Sequence, residues 1–331
     1  MNSVAAEHEL PWVNPRRAMT PIPLTTLSAS TTLPVDLYLK GEADAPPLLY
    51  RQREYPMSHE DIERLVKRGV RVAYITSQQL SDYQSYLRDN LETFLLDEEI
   101  PPVRRYEFLS ETARDLLSTS FDHGNTEVLM QTTAKLGDQM VDMVIDRNLV
   151  ASDMFSILRH DYKTFTHSFN AASFCLLLAK GLGISDADQL KRIAGGALLH
   201  DVGKLHIPGS ILNKKSRLTD EEREVIRQHP NEGFMQLCDR KDLSEGQLMM
   251  VYQHHERLDG GGYPVGQSGE QIHYLARMCA VVDVFEAMSS HRPYRRAIPP
   301  RAVLEYLDMQ SGRALDKEMV RCWGEQVAEL Q

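Results

Sequence analysis

Long apolar runs are missing from this sequence. The longest falls well short of the roughly 18 residues that a membrane-crossing helix needs, so no transmembrane helix is expected. Met1 to Pro23 has no apolar core and carries Glu7, Glu9, Arg16 and Arg17, which argues against a secretory signal. The cytoplasm is the expected location. Cysteine is scarce as well. The four present, Cys175, Cys238, Cys279 and Cys322, form no C-x-x-C pair. That excludes a thiol-rich zinc site or a disulfide scaffold; Cys175 and Cys279 lie in apolar runs and are expected in the core. Positive charge is in deficit: 37 Lys and Arg face 47 Asp and Glu, a net charge of −10. A general binder of duplex nucleic acid needs a basic footprint, so that class is set aside. A small anionic ligand held by a local basic cluster is not excluded.

What is present is an ordinary globular chain long enough for two domains. Residues 1–100 read as a small α+β domain, 101–124 as a helical linker and 125–331 as a helical domain. Ile22–Leu27 could start a strand, Val35–Leu39 alternates in strand fashion, and Pro46–Arg51 is its candidate partner. Ser58 and Asp61 form a capping box for a helix ending at Gly69. Val70–Ile75 reads as a buried strand, and Ser77–Leu91 as a helix with Tyr83, Tyr86 and Leu87 on one face. Pro101–Pro102 marks a boundary. Beyond it, helices are expected at Tyr106–Ser118, Thr126–Arg147, Ala151–Leu158 and His167–Lys180. Gly181 and Gly183 close the last of these, Ser185 with Asp188 opens the next, and Thr219 with Glu222 caps another.

Nine of the 12 histidines fall between His160 and His291. His200-Asp201 ends a helix. His229 follows Val225 and Ile226 by four and three residues, so it is expected to point inward with them. His254-His255 is an adjacent pair, and Asp283 interrupts the apolar run Met278–Val284. A single interior His or Asp is usually a hydrogen-bonded core residue. Several together need several partners, because a buried carboxylate is costly alone. A metal centre satisfies all of them at once.

Imidazole and carboxylate without thiolate suit Fe, Mn, Ni, Co or Zn. Two octahedral ions need about twelve donor positions, of which seven side chains with Asp201 bridging supply about eight. The rest stay open for water and substrate oxygens, as catalysis requires.

The strings H-D-V-G-K-L-H-I-P-G-S-I-L-N-K (200–214), L-T-D-E-E (218–222), H-H-E-R-L-D-G-G-G-Y-P (254–264) and D-V-F-E-A-M-S-S-H-R-P-Y-R (283–295) resemble the HD-GYP family. This is a subgroup of the HD metallophosphohydrolases, and four motifs in order cover roughly 125–315. The resemblance implies a mainly α protein with an all-α HD-type helical bundle. It also implies an enzyme that hydrolyses the bacterial second messenger cyclic di-GMP to pGpG or GMP.

By the same resemblance His200, Asp201, His229, His254, His255 and Asp283 are metal ligands, with Asp201 bridging, and His167 is an additional upstream ligand. Lys204 matches the lysine that contacts the scissile phosphate and so, with Asp201, a catalytic role. Gly262, Tyr263 and Pro264 form the GYP motif, and Arg292 and Arg295 match residues that hold ligand phosphates. His206, His273, His291 and His160 have no ligand-like match. The cofactors implied are two divalent transition-metal ions, iron ahead of manganese. Some family members carry a Glu four residues before the upstream His, where it helps hold a third metal. Lys163 stands here, and an ammonium has no lone pair for a metal, so a third metal is not expected. Glu286 replaces a common Asp, a deviation that looks tolerable.

Two other readings fit the same residues: a weakly active receptor or protein-interaction module, and a hydrolase of another cyclic dinucleotide. The N-terminal unit shows no receiver-type acidic pair, haem motif or Gly-rich nucleotide motif. It reads as a packing, dimerisation or sensory domain. Beyond cyclic di-GMP, the partners that such a chain could take are a diguanylate cyclase or other signalling protein and a second copy of the chain.

Overall fold

The computed structural model describes residues 18–29, 31–40, 47–122, 126–146, 164–214, 216–291 and 295–328. These residues are mainly helical, with one small sheet. The chain divides into two compact units, Met1–Thr112 and Ala113–Gln331.

The first unit holds a four-stranded antiparallel sheet in the order β1-β4-β2-β3. β1 (Met19–Pro23) pairs with β4 (Val72–Thr76) from Met19 opposite Thr76 to Pro23 opposite Val72. β2 (Leu37–Leu39) lies on the other side of β4, and β3 (Leu48–Arg51) closes the outer edge. The strand expected from Ile22 starts earlier, at Met19, and Leu24–Thr26 is a 3-10 turn. Pro21 and Pro23 lack N–H donors, which an edge strand such as β1 tolerates. The Ser58–Asp61 capping box opens α1 (His59–Lys67) as expected. Gly69 follows with φ of 77°, a left-handed conformation that ends a helix cheaply only at glycine. The chain turns into α2 (Leu80–Leu96) through a 3-10 turn at Ser77–Gln79, so this helix begins three residues later than expected. Its Tyr83, Tyr86 and Leu87 are buried as the periodicity predicts. Phe94 stacks on Phe108 of α3 (Pro102–Asp122) with ring centroids 4.0 Å apart.

The second unit is a helical bundle. Among its described elements are α4 (Thr126–Asp146), α5 (Thr164–Gly181), α6 (Ala187–Leu199), a 3-10 turn at Val202–His206, α7 (Gly209–Leu212), α8 (Asp220–Arg227) and α9 (His229–Leu237). Then come α10 (Glu245–Gln253), α11 (Tyr274–Ser289), α12 (Pro300–Gln310) and α13 (Lys317–Ala328). Phe174 of α5, Phe285 of α11 and Trp323 of α13 meet with ring centroids 5.1–5.7 Å apart. This aromatic cluster fixes α5 against α11, two helices far apart in the sequence that carry His167 and Asp283. The Thr219–Glu222 capping box forms as expected. The cap of α6 is Asp186, not Ser185: its carboxylate accepts from Gln189 N at 2.7 Å. Val225 is exposed, contrary to the inward direction read for it, because α8 ends at Arg227 and His229 starts a new helix. The helix expected at Ala151–Leu158, together with His160 and Lys163, lies outside the described residues.

Cys175, Cys279 and Cys322 are buried, and the four cysteines form no disulfide. Among the described residues, no helix is long and apolar enough to cross a membrane.

Candidate metal centre

Three of the histidines use one local device. A helix leaves its last carbonyls without intrahelical partners. At the end of α6, His200 Nδ1 bonds Ala197 O at 2.7 Å; past α8, His229 Nδ1 bonds Ile226 O at 2.7 Å. At the end of α10, His254 Nδ1 reaches Met250 O and Val251 O, both at 3.0 Å. A carbonyl accepts only, so in the neutral ring Nδ1 carries the hydrogen and Nε2 presents a bare lone pair.

Those lone pairs converge. His229 Nε2 and His254 Nε2 lie 3.1 Å apart, as do His167 Nε2 and His200 Nε2. Asp201, in the turn after α6, stands between the pairs. Its Oδ1 is 3.2 Å from His229 Nε2 and 3.8 Å from His254 Nε2. Its Oδ2 is 3.4 Å from His167 Nε2 and 3.5 Å from His200 Nε2. Asp283, in the middle of α11, puts Oδ1 3.1 Å from His167 Nε2 and Oδ2 3.7 Å from His255 Nδ1. The Oδ1 of Asp201 is buried without a hydrogen-bond partner. A sealed group of acceptors facing one another is what a cation fits, and this donor set suits divalent ions. The seven expected ligands are therefore brought together. Groupings close enough to hold a metal ion occur among His229, His254 and His255, among His167, His200 and Asp283, and among His200, Asp201 and His254.

Electrostatics keep Asp201, Asp283, His200, His254 and His255 in ligating form. Burial pulls the Asp201 carboxyl upward, but the Lys204 ammonium, His200 and His229 hold it well below the usual carboxylate range. Burial acts the same way on Asp283 and is overcome by His167, His255 and His200. His200 and His254 are pushed down chiefly by burial, and the surrounding protein lowers His255 to about 3. His167 differs. Burial opposes its charge, but Glu286, Asp283 and Asp201 raise it well above the usual value.

Glu286, one turn beyond Asp283, explains that difference. It is buried, and its Oε2 meets His167 Nδ1 at 2.5 Å. Its Oε1 accepts from Asn170 Nδ2 at 3.0 Å and from Ser290 Oγ at 2.7 Å. In the sequence Glu286 stands out only as a replacement for a common Asp.

The mouth of the site carries cations and the tyrosine loop. Lys204, in the 3-10 turn, places Nζ 2.5 Å from Asp201 Oδ2. The Tyr263 ring lies 4.6 Å from the His255 ring, and the guanidinium of Arg227, at the end of α8, sits over the Tyr263 ring 4.8 Å from its centroid. Burial, then Asp283, raises the Tyr263 phenol above its usual range, so it stays a protonated donor. Gly262 is forced by packing: a Cβ there would lie 2.5 Å from Arg257 N and Glu256 Cα. Glu256, also unnoticed in the sequence, is buried and accepts from Val265 N at 2.9 Å and Gly266 N at 3.0 Å, fixing the loop just past Pro264. Arg295 donates to Ala287 O at 2.6 Å and Met288 O at 3.1 Å, near the end of α11. Arg292 lies outside the described residues. His206 bonds Gln236, His273 caps α11, and His291 accepts from Ala297 N, all away from the donor set.

One further close approach sets the donor spacing. A Cβ on Gly203 would meet His229 O at 1.9 Å and Gly233 N at 2.6 Å, so the turn bearing Asp201 rests backbone to backbone on α9.

A family model described as HD domain matches residues 147–319. The cyclic di-GMP phosphodiesterase PA4108 of Pseudomonas aeruginosa is 40% identical over 183 residues, 51% of this chain and 44% of that protein. The cyclic di-GMP phosphodiesterase response regulator RpfG of Xanthomonas campestris is 42% identical over 146 residues, 44% of this chain and 38% of its own. The 3'3'-cGAMP-specific phosphodiesterase 3 of Vibrio cholerae is 36% identical over 158 residues, covering 47% and 33%. This chain spans less than half the length of these curated relatives. Among solved structures, Bd1817, an HDG"Y"P protein from Bdellovibrio bacteriovorus, shares the fold with a TM-score of 0.63 at 19% identity, over 94% of this chain and 100% of that one.

Proposed function

This chain belongs to the HD-domain family and carries the HD-GYP motifs, and from that premise we propose that it is a metal-dependent phosphodiesterase hydrolysing cyclic di-GMP to pGpG or GMP. The observation that carries the reading is Asp201, whose two oxygens face two separate imidazole pairs at 3.2–3.8 Å. The residues that would hold two divalent ions, iron ahead of manganese, are His167, His200, Asp201, His229, His254, His255 and Asp283. When bound, such a pair supplies Lewis acidity toward a phosphoryl oxygen and an acidified water.

The chain's own residues account for the rest. Lys204 brings a cation to the edge of the donor set, where it offsets charge developing on the phosphoryl oxygens. Tyr263 keeps its phenolic proton and offers it to the ligand. Arg227, held over the Tyr263 ring, and Arg292 and Arg295 are proposed to receive the remaining phosphate or a guanine edge, both of which suit a guanidinium fork. Hydrolysis adds water across one phosphodiester, opening the ring to a linear dinucleotide with one phosphomonoester end.

The test is turnover. Protein purified without oxygen and loaded with Fe(II) or Mn(II) is expected to convert cyclic di-GMP to pGpG or GMP, and Asp201→Ala to abolish it. Ligand binding without turnover by the loaded wild type would refute the enzyme reading. A second reading, a mixed-purine cyclic dinucleotide as preferred substrate, is favoured by the cGAMP-specific relative and is separated by direct competition between the two nucleotides.

A further inference from the structure

Glu286 stands outside the donor set, yet it is 1% exposed and held by three donors. Its two oxygens have different partners. Oε1 is pinned by Asn170 of α5 and by Ser290 at the end of α11. Oε2 is left to His167 Nδ1, at 2.5 Å. His200, His229 and His254 have their tautomers fixed by helix-end carbonyls, but His167 lies in the first turn of α5, and its Nδ1 turns to this carboxylate instead.

We infer that Glu286 is a positioning residue that, through Oε2, fixes the tautomer and ring orientation in which His167 Nε2 serves as a ligand for one of two divalent ions. The inference rests on the metal-centre reading above. In that orientation Nε2 itself lies 3.1 Å from both Asp283 Oδ1 and His200 Nε2 and 3.4 Å from Asp201 Oδ2, among the groups that would share the ion. Carboxylate–histidine pairs of this kind raise ligand basicity, and losing the carboxylate costs about 10–100-fold in metal affinity.

The structure also says how the role can be separated from simple packing. In Glu286→Gln the amide oxygen takes the place of Oε1, because Asn170 and Ser290 both donate to it. The amide NH2 is then turned toward His167 Nδ1. Two donors cannot face each other, so His167 must switch to the form with hydrogen on Nε2, and that nitrogen loses its lone pair for the metal. The tie between α5 and α11 survives, while ligation does not.

The full chain, freed of metal, would be titrated with Zn2+ as a diamagnetic probe, by calorimetry and by NMR of 15N-histidine-labelled protein. The zinc-loaded wild type is expected to bind two ions, with His167 hydrogen-bearing at Nδ1 and bare at Nε2. Glu286→Gln is expected to bind one ion about 10–100-fold more weakly, with hydrogen on His167 Nε2. Unchanged affinity for both ions in the variant would overturn the inference. So would hydrogen on Nε2 of His167 in the zinc-loaded wild type, a result that holds even if the variant does not fold. A wild type that takes up no zinc would instead bring down the metal-centre reading, and this inference with it.

Discussion

Lys204 Nζ and Asp201 Oδ2 form a 2.5 Å ion pair across a single tight turn, so the same carboxylate that serves both imidazole pairs also holds the cation nearest to them. Burial pulls the Asp201 carboxyl up, and Lys204, with His200 and His229, holds it down. Replacing Lys204 by Met is expected to lower kcat about 10²–10³-fold, the usual cost of removing a group that stabilises developing oxyanion charge. Metal content, measured in the same preparation, should stay near the wild-type value. A variant with full kcat would remove Lys204 from the chemistry.

Asp201→Asn tests the shared carboxylate itself. An amide offers one acceptor instead of two, and its NH2 would confront the lone pairs of one histidine pair. Elemental analysis is expected to find both ions depleted, not one, because Oδ1 and Oδ2 face different pairs. Loss of a single ion would show that Asp201 does not bridge.

Arg227 is exposed at the end of α8 and lies against Tyr263. Arg227→Gln is expected to raise KM about tenfold, the effect of about 1.4 kcal/mol of lost ligand contact, with kcat within about twofold. The raised KM should be less sensitive to salt than that of the wild type. Equal KM values would leave Arg227 as a surface residue.

Glu256→Ala removes the acceptor for Val265 N and Gly266 N. Leaving such N–H groups without a partner costs about 1–3 kcal/mol. The expected result is a lower melting temperature together with weaker ligand binding, because the loop bearing Tyr263 loses its anchor. An unchanged KM in a destabilised variant would separate the loop from binding.

The metal-free protein should lose stability in acid before its carboxylates titrate. His200, His254 and His255 have folded-state pKa values below the ordinary 6.5. Below that ordinary value the unfolded chain binds protons that the fold refuses, so their contribution falls as pH falls. His167 is raised, so its contribution is present below 6.5 and is lost as pH rises through its folded value. Asp201 and Asp283 are depressed, and their contributions fade only as pH drops below the ordinary 3.8. Three histidines against one give a maximum near neutral pH and a decline below about pH 6.5. Thermal melts of chelator-treated protein between about pH 5 and pH 8 would check this, and a melting temperature that rises on acidification would contradict it.

Much of the donor set is legible in the sequence because each member sits in a local context that a core residue rarely has. His200-Asp201 closes an amphipathic helix, and Asp283 breaks an apolar run. Helix caps were legible for the same reason: the reciprocal bonds of Ser58–Asp61 and Thr219–Glu222 span three residues. Glu286 was not, since its partner His167 is 119 residues away and no local pattern announces such a bond. Glu256 and Arg227 were missed likewise, because their value lies in the loop and ring they meet across the fold. The strand limits slipped where prolines and 3-10 turns at Leu24–Thr26 and Ser77–Gln79 replaced what hydrophobic alternation suggested.

The contact of Gly203 with the backbone of His229 and Gly233 leaves no side chain between the turn of Asp201 and the start of α9. Main chain against main chain has few soft degrees of freedom, so the spacing between donors of the two segments is settled when the protein folds. Ion capture then needs little further loss of conformational entropy and no search among loop states. A site preset in this way would favour ions whose radius and preferred geometry match its donor spacing.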